Sequence, residues 1–347
     1  MRQAVMNLEP SVAQQLRRLA PAIVKRDQLN QLLPPPRMLD DVPSCVPTAP
    51  AIEGVHSLWR LRSHGTVAPK QKEGLRMKIG WIGLGKIGTA MVLQLRAVGH
   101  DVTVHARGQG LEQARAAGAA VSDDYATIAA ASDLLGLCLF HDDQVRDVLF
   151  GGGALAALPA GAILVNHTTG SPLLAQEIAE HAPDGVATID AAFSGGETTI
   201  EAGKLLVMAG GPAEAVERAR SALSAYAGTI VPLGGPGQGQ TVKLLNNLLF
   251  ASNLHNAASL LRIAQQQGLD PADVAKIIGL GSGGSFALRS FESGSSIDDT
   301  LARSRPYLVK DVGTLGRTAA DAAIDISAFA ATLSFFSDHS APQERIS

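Results

Sequence analysis

The chain has 347 residues, 46% hydrophobic and 18% charged, with 36 glycines and few aromatics, enough apolar material for two domains of ordinary size. A formal net charge of −3 excludes the broad basic field of a nucleic-acid or anionic-membrane binder. Two cysteines, Cys45 and Cys138, exclude a disulfide framework, and no apolar run reaches the about 18 residues of a membrane-spanning helix.

Residues 1–76 stand apart. They carry Pro34-Pro35-Pro36, Pro43, Pro47 and Pro50 and show no strand pattern. A short amphipathic helix is expected around Ser11 to Val24, within what reads as a disordered extension or sequence ahead of a start at Met77. Glu9, Asp27, Asp40 and Asp41 interrupt the basic character of a matrix-targeting peptide, and the N-terminus does not show the layout of a secretory signal. A cytoplasmic location is the expectation, with Cys138 a buried thiol in the apolar run Leu134 to Leu139.

From Met77 strand-like and helix-like segments alternate. Strands are predicted at Ile79 to Ile82, Val102 to His105, Leu134 to Phe140, Ile163 to Asn166, Leu205 to Met208 and Thr229 to Pro232, with helices at Ile87 to Val98 and Leu111 to Ala117. This alternation predicts a doubly wound parallel sheet with right-handed crossovers. From Gln238 to about Ala331 the pattern is helical. The expected organisation is a Rossmann-type α/β domain over 77–236, then an all-α domain over 237–347 with a long helix opening near Gly239.

Gly83-Leu84-Gly85-Lys86-Ile87-Gly88 spells G-x-G-x-x-G. Alone the pattern is weak evidence, but here it follows a predicted strand and opens a predicted helix. Gly83 permits the tight turn, Gly85 lets a pyrophosphate approach the backbone, and Gly88 lets helix and strand pack closely. The helix N-terminus then offers unpaired N–H groups to phosphate. The end of the second strand reads Val104-His105-Ala106-Arg107-Gly108, without the acid that usually binds the ribose 2′-hydroxyl of NAD. Arg107 suits a 2′-phosphate instead, so NADP(H) is expected to be preferred and NAD(H) second.

Two later stretches carry chemistry. Gly237-Gln238-Gly239 leads into Gln240-Thr241-Val242-Lys243-Leu244-Leu245-Asn246-Asn247. Lys243 and Asn247, at i and i+4, share a helix face. A lysine whose pKa is lowered by partial burial can exchange a proton with a reacting hydroxyl or carbonyl oxygen, and an amide can hold that lysine or the substrate without adding charge. In Asp190-Ala191-Ala192-Phe193-Ser194-Gly195-Gly196, Ser194, Gly195 and Gly196 form a small cradle whose N–H groups and hydroxyl suit a carboxylate. His105, His141 and His167 have no metal-ligand spacing and read as satisfied or exposed histidines, so no metal is expected.

These motifs, with Lys310-Asp311 further on, resemble in order and spacing the β-hydroxyacid dehydrogenase family, from Met77 to about Asp325. The resemblance implies hydride transfer between a nicotinamide and a small β-hydroxyacid or semialdehyde acid. Lys243 would be proton donor and acceptor, Asn247 its orienting partner, and the Ser194 loop the carboxylate site. Lys310 would lie beside nicotinamide and substrate, and Thr168-Thr169 near the nicotinamide. It also implies a homodimer or homotetramer paired through the helical half. Ala192 and Phe193 replace the family's usual Pro and Val, and Phe335-Phe336-Ser337-Asp338-His339 replaces its usual glycine-rich close, which suggests a shortened last helix. An imine reductase, which usually lacks the helix lysine, and a non-catalytic NADP-binding scaffold are the alternatives.

Overall fold

The structure is a computed structural model that describes residues 76–105 and 109–337. The 1–76 extension with its short helix, Cys45 and Arg107 lie outside the described residues, apart from Arg76. The described chain opens with β1 (Lys78–Ile82), α1 (Lys86–Ala97), β2 (Asp101–His105), α2 (Gln109–Ala116), β3 (Ala120–Val121), α3 (Tyr125–Ala130) and β4 (Leu134–Leu137). A short α4 (Asp142–Arg146) runs into a π-helical turn (Asp147–Gly151), followed by β5 (Ile163–Asn166), α5 (Pro172–His181), β6 (Ala187–Ser194) and α6 (Glu197–Glu201). Then come β7 (Leu205–Gly210), α7 (Ala213–Leu223) and β8 (Ala227–Pro232). The rest is helical: α8 (Gln238–Gln266), α9 (Pro271–Gly279), α10 (Phe286–Arg289), α11 (Ile297–Asp321), a 3-10 turn (Ser327–Phe329) and α12 (Ala330–Phe335).

The eight strands form one sheet in the order β3-β2-β1-β4-β5-β6-β7-β8. Strand alternation divides its apolar residues between two faces. Ile79, Trp81, Ile163, Val165, Ile189 and Ala191 join one core with Met91 and Leu95 of α1 and Val216 and Leu223 of α7. Ile82, Leu135, Leu137 and Leu164 join the other with Ile128 of α3 and Leu174 and Ile178 of α5. Helices thus cover both faces, as a doubly wound sheet requires. A separate core gathers Leu254, Leu261, Phe291, Leu308 and Phe336 among the C-terminal helices.

Two details depart from the sequence reading. The sheet is parallel except that β7 runs antiparallel to β6, and β8 follows β7 in parallel through α7. Only Gly195 to Lys204 joins β6 to β7, too few residues for the crossover of a dozen or more that a parallel return needs. The strand expected over Leu134 to Phe140 ends at Leu137; past it, the Leu139 amide leaves the ladder and donates to Thr168 Oγ1 at 3.0 Å. At the C-terminus α12 is short but docked, with Phe336 buried and Phe335 stacked on His255 at 4.3 Å.

Candidate active site

The glycine-rich loop joins the end of β1 to the start of α1. Gly83 has φ +100°, and a Cβ there would strike the Cys138 carbonyl, so a side chain is excluded by strain and by space. A Cβ on Gly88 would strike the carbonyl of Gly83, so only glycine lets α1 start this close to the turn. The turn is further tied by Trp81 Nε1, which donates to Gly83 O at 3.2 Å. Gly85, the N-cap of α1, has open space where its Cβ would stand, and Lys86 beside it is exposed. Leu84 and Ile87 pack against the core. An anion-accepting helix end with a bare, open backbone fits a dinucleotide pyrophosphate. His105 closes β2 with its ring 4.3 Å from that of Tyr125.

The other site residues cluster at the same, carboxyl-terminal edge of the sheet, Thr168 past β5 and Ser194 at the tip of β6, where open α/β sheets bind ligands. Lys243, on the second turn of α8, is half-buried, and its Nζ lies 5.9 Å from the centre of the Phe193 ring. Burial lowers the Lys243 pKa to about 8; the Asp311 carboxylate works against that fall and the Lys310 charge adds to it. Phe193 immediately precedes Ser194, Gly195 (φ +134°) and Gly196, the N-cap of α6.

Asn247 does not bond Lys243. Its Nδ2 donates to Asp311 Oδ2 at 2.5 Å, and its Oδ1 accepts from Asn246 at 3.0 Å. Asp311, on α11, is buried. Its other oxygen lies 2.9 Å from Lys310 Nζ, an ion-pair distance without hydrogen-bond alignment. Lys310 also donates to Thr169 O at 2.7 Å and sits 5.5 Å from the Phe140 ring centre. A cleft of about 250 Å³ opens on the far side of Lys310, lined among others by Thr169, Arg146, Thr314 and Arg317; neither Lys243 nor Ser194 lines it.

Three residues without an assigned role from the sequence complete the site. Asp311 is the partner Asn247 uses. Asp190 is buried near the end of β6 and accepts from the amides of Gly237 and Gln240, both at 2.8 Å; burial raises its pKa more than these bonds lower it. The Gln240 side chain turns back to the loop after β5. All three lie inside the quoted motifs, but none of those motifs announces the partner its polar residue takes in the fold. His167 is satisfied, as expected: its ring nitrogens meet Ala191 O at 2.6 Å and Tyr226 Oη at 2.8 Å. Among the described residues no cluster of His, Cys, Asp and Glu is arranged for a metal, and no helix is long and apolar enough to cross a membrane.

A family model described as the NAD binding domain of 6-phosphogluconate dehydrogenase matches residues 78–235. Another, described as NAD-binding of NADP-dependent 3-hydroxyisobutyrate dehydrogenase, matches residues 237–344. The chain is 33% identical over 258 residues to the probable 3-hydroxyisobutyrate dehydrogenase-like 2, mitochondrial, of Arabidopsis thaliana, covering 73% of this chain and 86% of that one. It is 35% identical over 219 residues to 2-(hydroxymethyl)glutarate dehydrogenase of Eubacterium barkeri, covering 62% and 72%. Among solved structures, 3-hydroxyisobutyrate dehydrogenase from Salmonella typhimurium superimposes with a TM-score of 0.66 at 25% identity, over 75% of this chain and 92% of that one. A glycine loop at a helix start, a half-buried lysine one turn into the long helix and matches on both sides of residue 236 lead to one assignment: the chain belongs to the 3-hydroxyisobutyrate dehydrogenase family of NAD(P)-dependent oxidoreductases.

Proposed function

We propose that this protein is an NADP(H)-dependent dehydrogenase/reductase of a small β-hydroxyacid or semialdehyde acid, working in the cytoplasm as a homodimer or homotetramer. The observation that carries the reading is Lys243, its pKa lowered to about 8, near Phe193 at the entry to the loop of Ser194, Gly195 and Gly196. With a pKa of about 8, both of its protonation states are populated near neutral pH. It can give a proton to an aldehyde oxygen in reduction or take one from a hydroxyl in oxidation. Asn247 acts through Asp311, whose carboxylate pairs with Lys310 and draws the Lys243 pKa upward. The Ser194 loop, with Lys310, holds the substrate carboxylate.

Gly83, Leu84, Gly85, Lys86, Ile87 and Gly88 would hold the pyrophosphate, Thr168 and Lys310 the nicotinamide end, and Arg107 the 2′-phosphate. Bound there, NADP(H) supplies or takes up a hydride at the carbon bearing the substrate oxygen. Residues 237–347 serve as the substrate and oligomerisation domain.

The test is an assay of the full chain with NADPH and NADH against a panel of small semialdehyde acids, read by nicotinamide absorbance. Turnover of at least one acid is expected, faster with NADPH, and Arg107→Asp should move the preference toward NADH. Cofactor binding without turnover of any acid would return the non-catalytic reading, and reduction of cyclic imines alone the imine reductase.

A further inference from the structure

The loop Thr168-Thr169-Gly170 follows β5 and faces the start of α8. Its backbone is held by side chains from two helices of the C-terminal half. Gln240, fully buried at 1% exposure, donates from Nε2 to Thr168 O at 2.8 Å and accepts at Oε1 from Gly170 N at 3.0 Å. Lys310 of α11 takes the carbonyl between them, Thr169 O, at 2.7 Å. The Gln240 backbone is itself fixed, since its amide donates to Asp190 Oδ2 at 2.8 Å. Both ends of the Gln240 amide are therefore used on one loop, and its main chain is pinned to β6.

Gln240 lies three residues before Lys243 on α8. We propose that Gln240 is a positioning residue: a two-bonded strut that sets the Thr168–Gly170 loop at a fixed distance from the Lys243 ammonium. This rests on the function proposed above, in which that loop borders the nicotinamide and Lys243 meets the substrate oxygen. Hydride and proton must move at one substrate carbon and its oxygen, so the spacing between their two sources decides how often a bound acid is poised to react. A single hydrogen bond would leave the loop free to pivot. Two bonds to groups two residues apart, with Lys310 on the group between, remove that freedom.

The strut differs from generic stability in what its loss should change. Gln240→Met keeps the shape and removes both bonds. In the protein without added ligands, amide exchange at Gly170 should rise about tenfold, the loss expected for one protecting hydrogen bond, while exchange in β1 and β4 stays as it was. In the assay, kcat should fall about 10- to 100-fold with the acid's KM changed less than about threefold, and the deuterium isotope effect with 4-deuterated NADPH should rise as hydride transfer becomes slower than the other steps.

Gln240→Glu supplies a second arm, should the methionine variant fold poorly. When protonated, its carboxyl can donate to Thr168 O and accept from Gly170 N; burial and the Asp142 and Asp190 carboxylates around the loop and helix start favour that form, against the Lys310 ammonium on Thr169 O. Its activity relative to the parent chain at the same pH should rise as pH falls. Unchanged Gly170 exchange in folded Gln240→Met would overturn the strut. So would faster exchange with kcat and isotope effect unaltered, or a Gln240→Glu ratio that is flat with pH. A parent chain that turns over no acid would instead overturn the proposed function, while the exchange measurement would still decide whether Gln240 holds the loop.

Discussion

Lys243 owes its lowered pKa to burial, which outweighs the upward pull of the Asp311 carboxylate, with a smaller downward push from the Lys310 charge. The direction of its titration can be worked out for each reaction. Oxidation needs the neutral amine, so kcat for a hydroxyacid should rise with pH through about 8; reduction needs the ammonium, so kcat for a semialdehyde acid should fall through the same point. Lys243→Ala should remove that titration and lower kcat by about 10²- to 10⁴-fold while sparing NADPH affinity, as read by pH-rate profiles and cofactor fluorescence titration. His167 makes a separate prediction about stability. Burial lowers its pKa to about 4, below the unfolded value near 6.5. The unfolded chain therefore takes up the proton first, and stability present above pH 6.5 is lost as pH falls toward 4. The loss amounts to roughly 3 kcal/mol. Urea midpoints of His167→Gln should show an acid loss smaller than the parent's by about that amount; an equal loss would remove His167 from the account. At this scale Lys243, the Ser194 loop and the glycine loop were readable because each is a residue type at a fixed offset from a helix start. Asp311 as the partner of Asn247 was not, because it comes from a helix more than sixty residues away in sequence and only folding brings the two together.

The start of α8 shows how an element places a residue. Gly237 has φ +88°, and a Cβ on Gly239 would stand 2.5 Å from the carbonyl oxygens of both Asp190 and Met208. The helix therefore begins in contact with the backbone of β6 and β7, and Lys243 follows one turn later. Backbone atoms cannot rotate away as a side chain can, so Gly239→Ala should cost roughly 1–3 kcal/mol and lower kcat by tilting the turn that carries Lys243. Gly316 in α11 is the control, since its Cβ would meet open space; Gly316→Ala should be neutral or stabilising by up to about 1 kcal/mol. Urea midpoints and turnover of the two variants check both expectations, and equal behaviour would mean that close approach does not fix α8. The helix itself was legible from its glycines and its long apolar period. The reversal between β6 and β7 was not, because strand composition carries no direction, and only the shortness of the Gly195–Lys204 link hints at it. Nor was β3, two residues long, whose length leaves no period to read.

At the scale of the molecule, α8 presents one apolar face that stands exposed among the described residues. Val242, Leu245, Leu249, Leu260 and Ile263 are all exposed, and at about 100° per residue they fall within one narrow stripe, roughly opposite Lys243 and Asn247. Ile277, Leu280 (93% exposed) and Phe286, on α9, α10 and the link between them, are exposed apolar residues as well. Large exposed apolar surfaces mark interaction sites, and a stripe along a single long helix can pair with its own copy about a two-fold axis, the common geometry of homodimers. The sequence could not show this stripe, because α8 is apolar on the face it buries as well, and periodicity cannot tell a core contact from an uncovered one. Sedimentation of the parent chain at micromolar concentration should therefore give a dimer or tetramer. Leu249→Glu combined with Ile263→Glu places two charges in the middle and at the end of the stripe, where a closed interface would have to desolvate them, and should yield monomers. A parent chain that sediments as a monomer, or a double variant that sediments like the parent, would assign the stripe to some other contact. Because Lys243 faces the sheet while the stripe faces away from it, subunit pairing through α8 would brace the helix from behind and leave the lysine's surroundings to β6, α11 and the Ser194 loop.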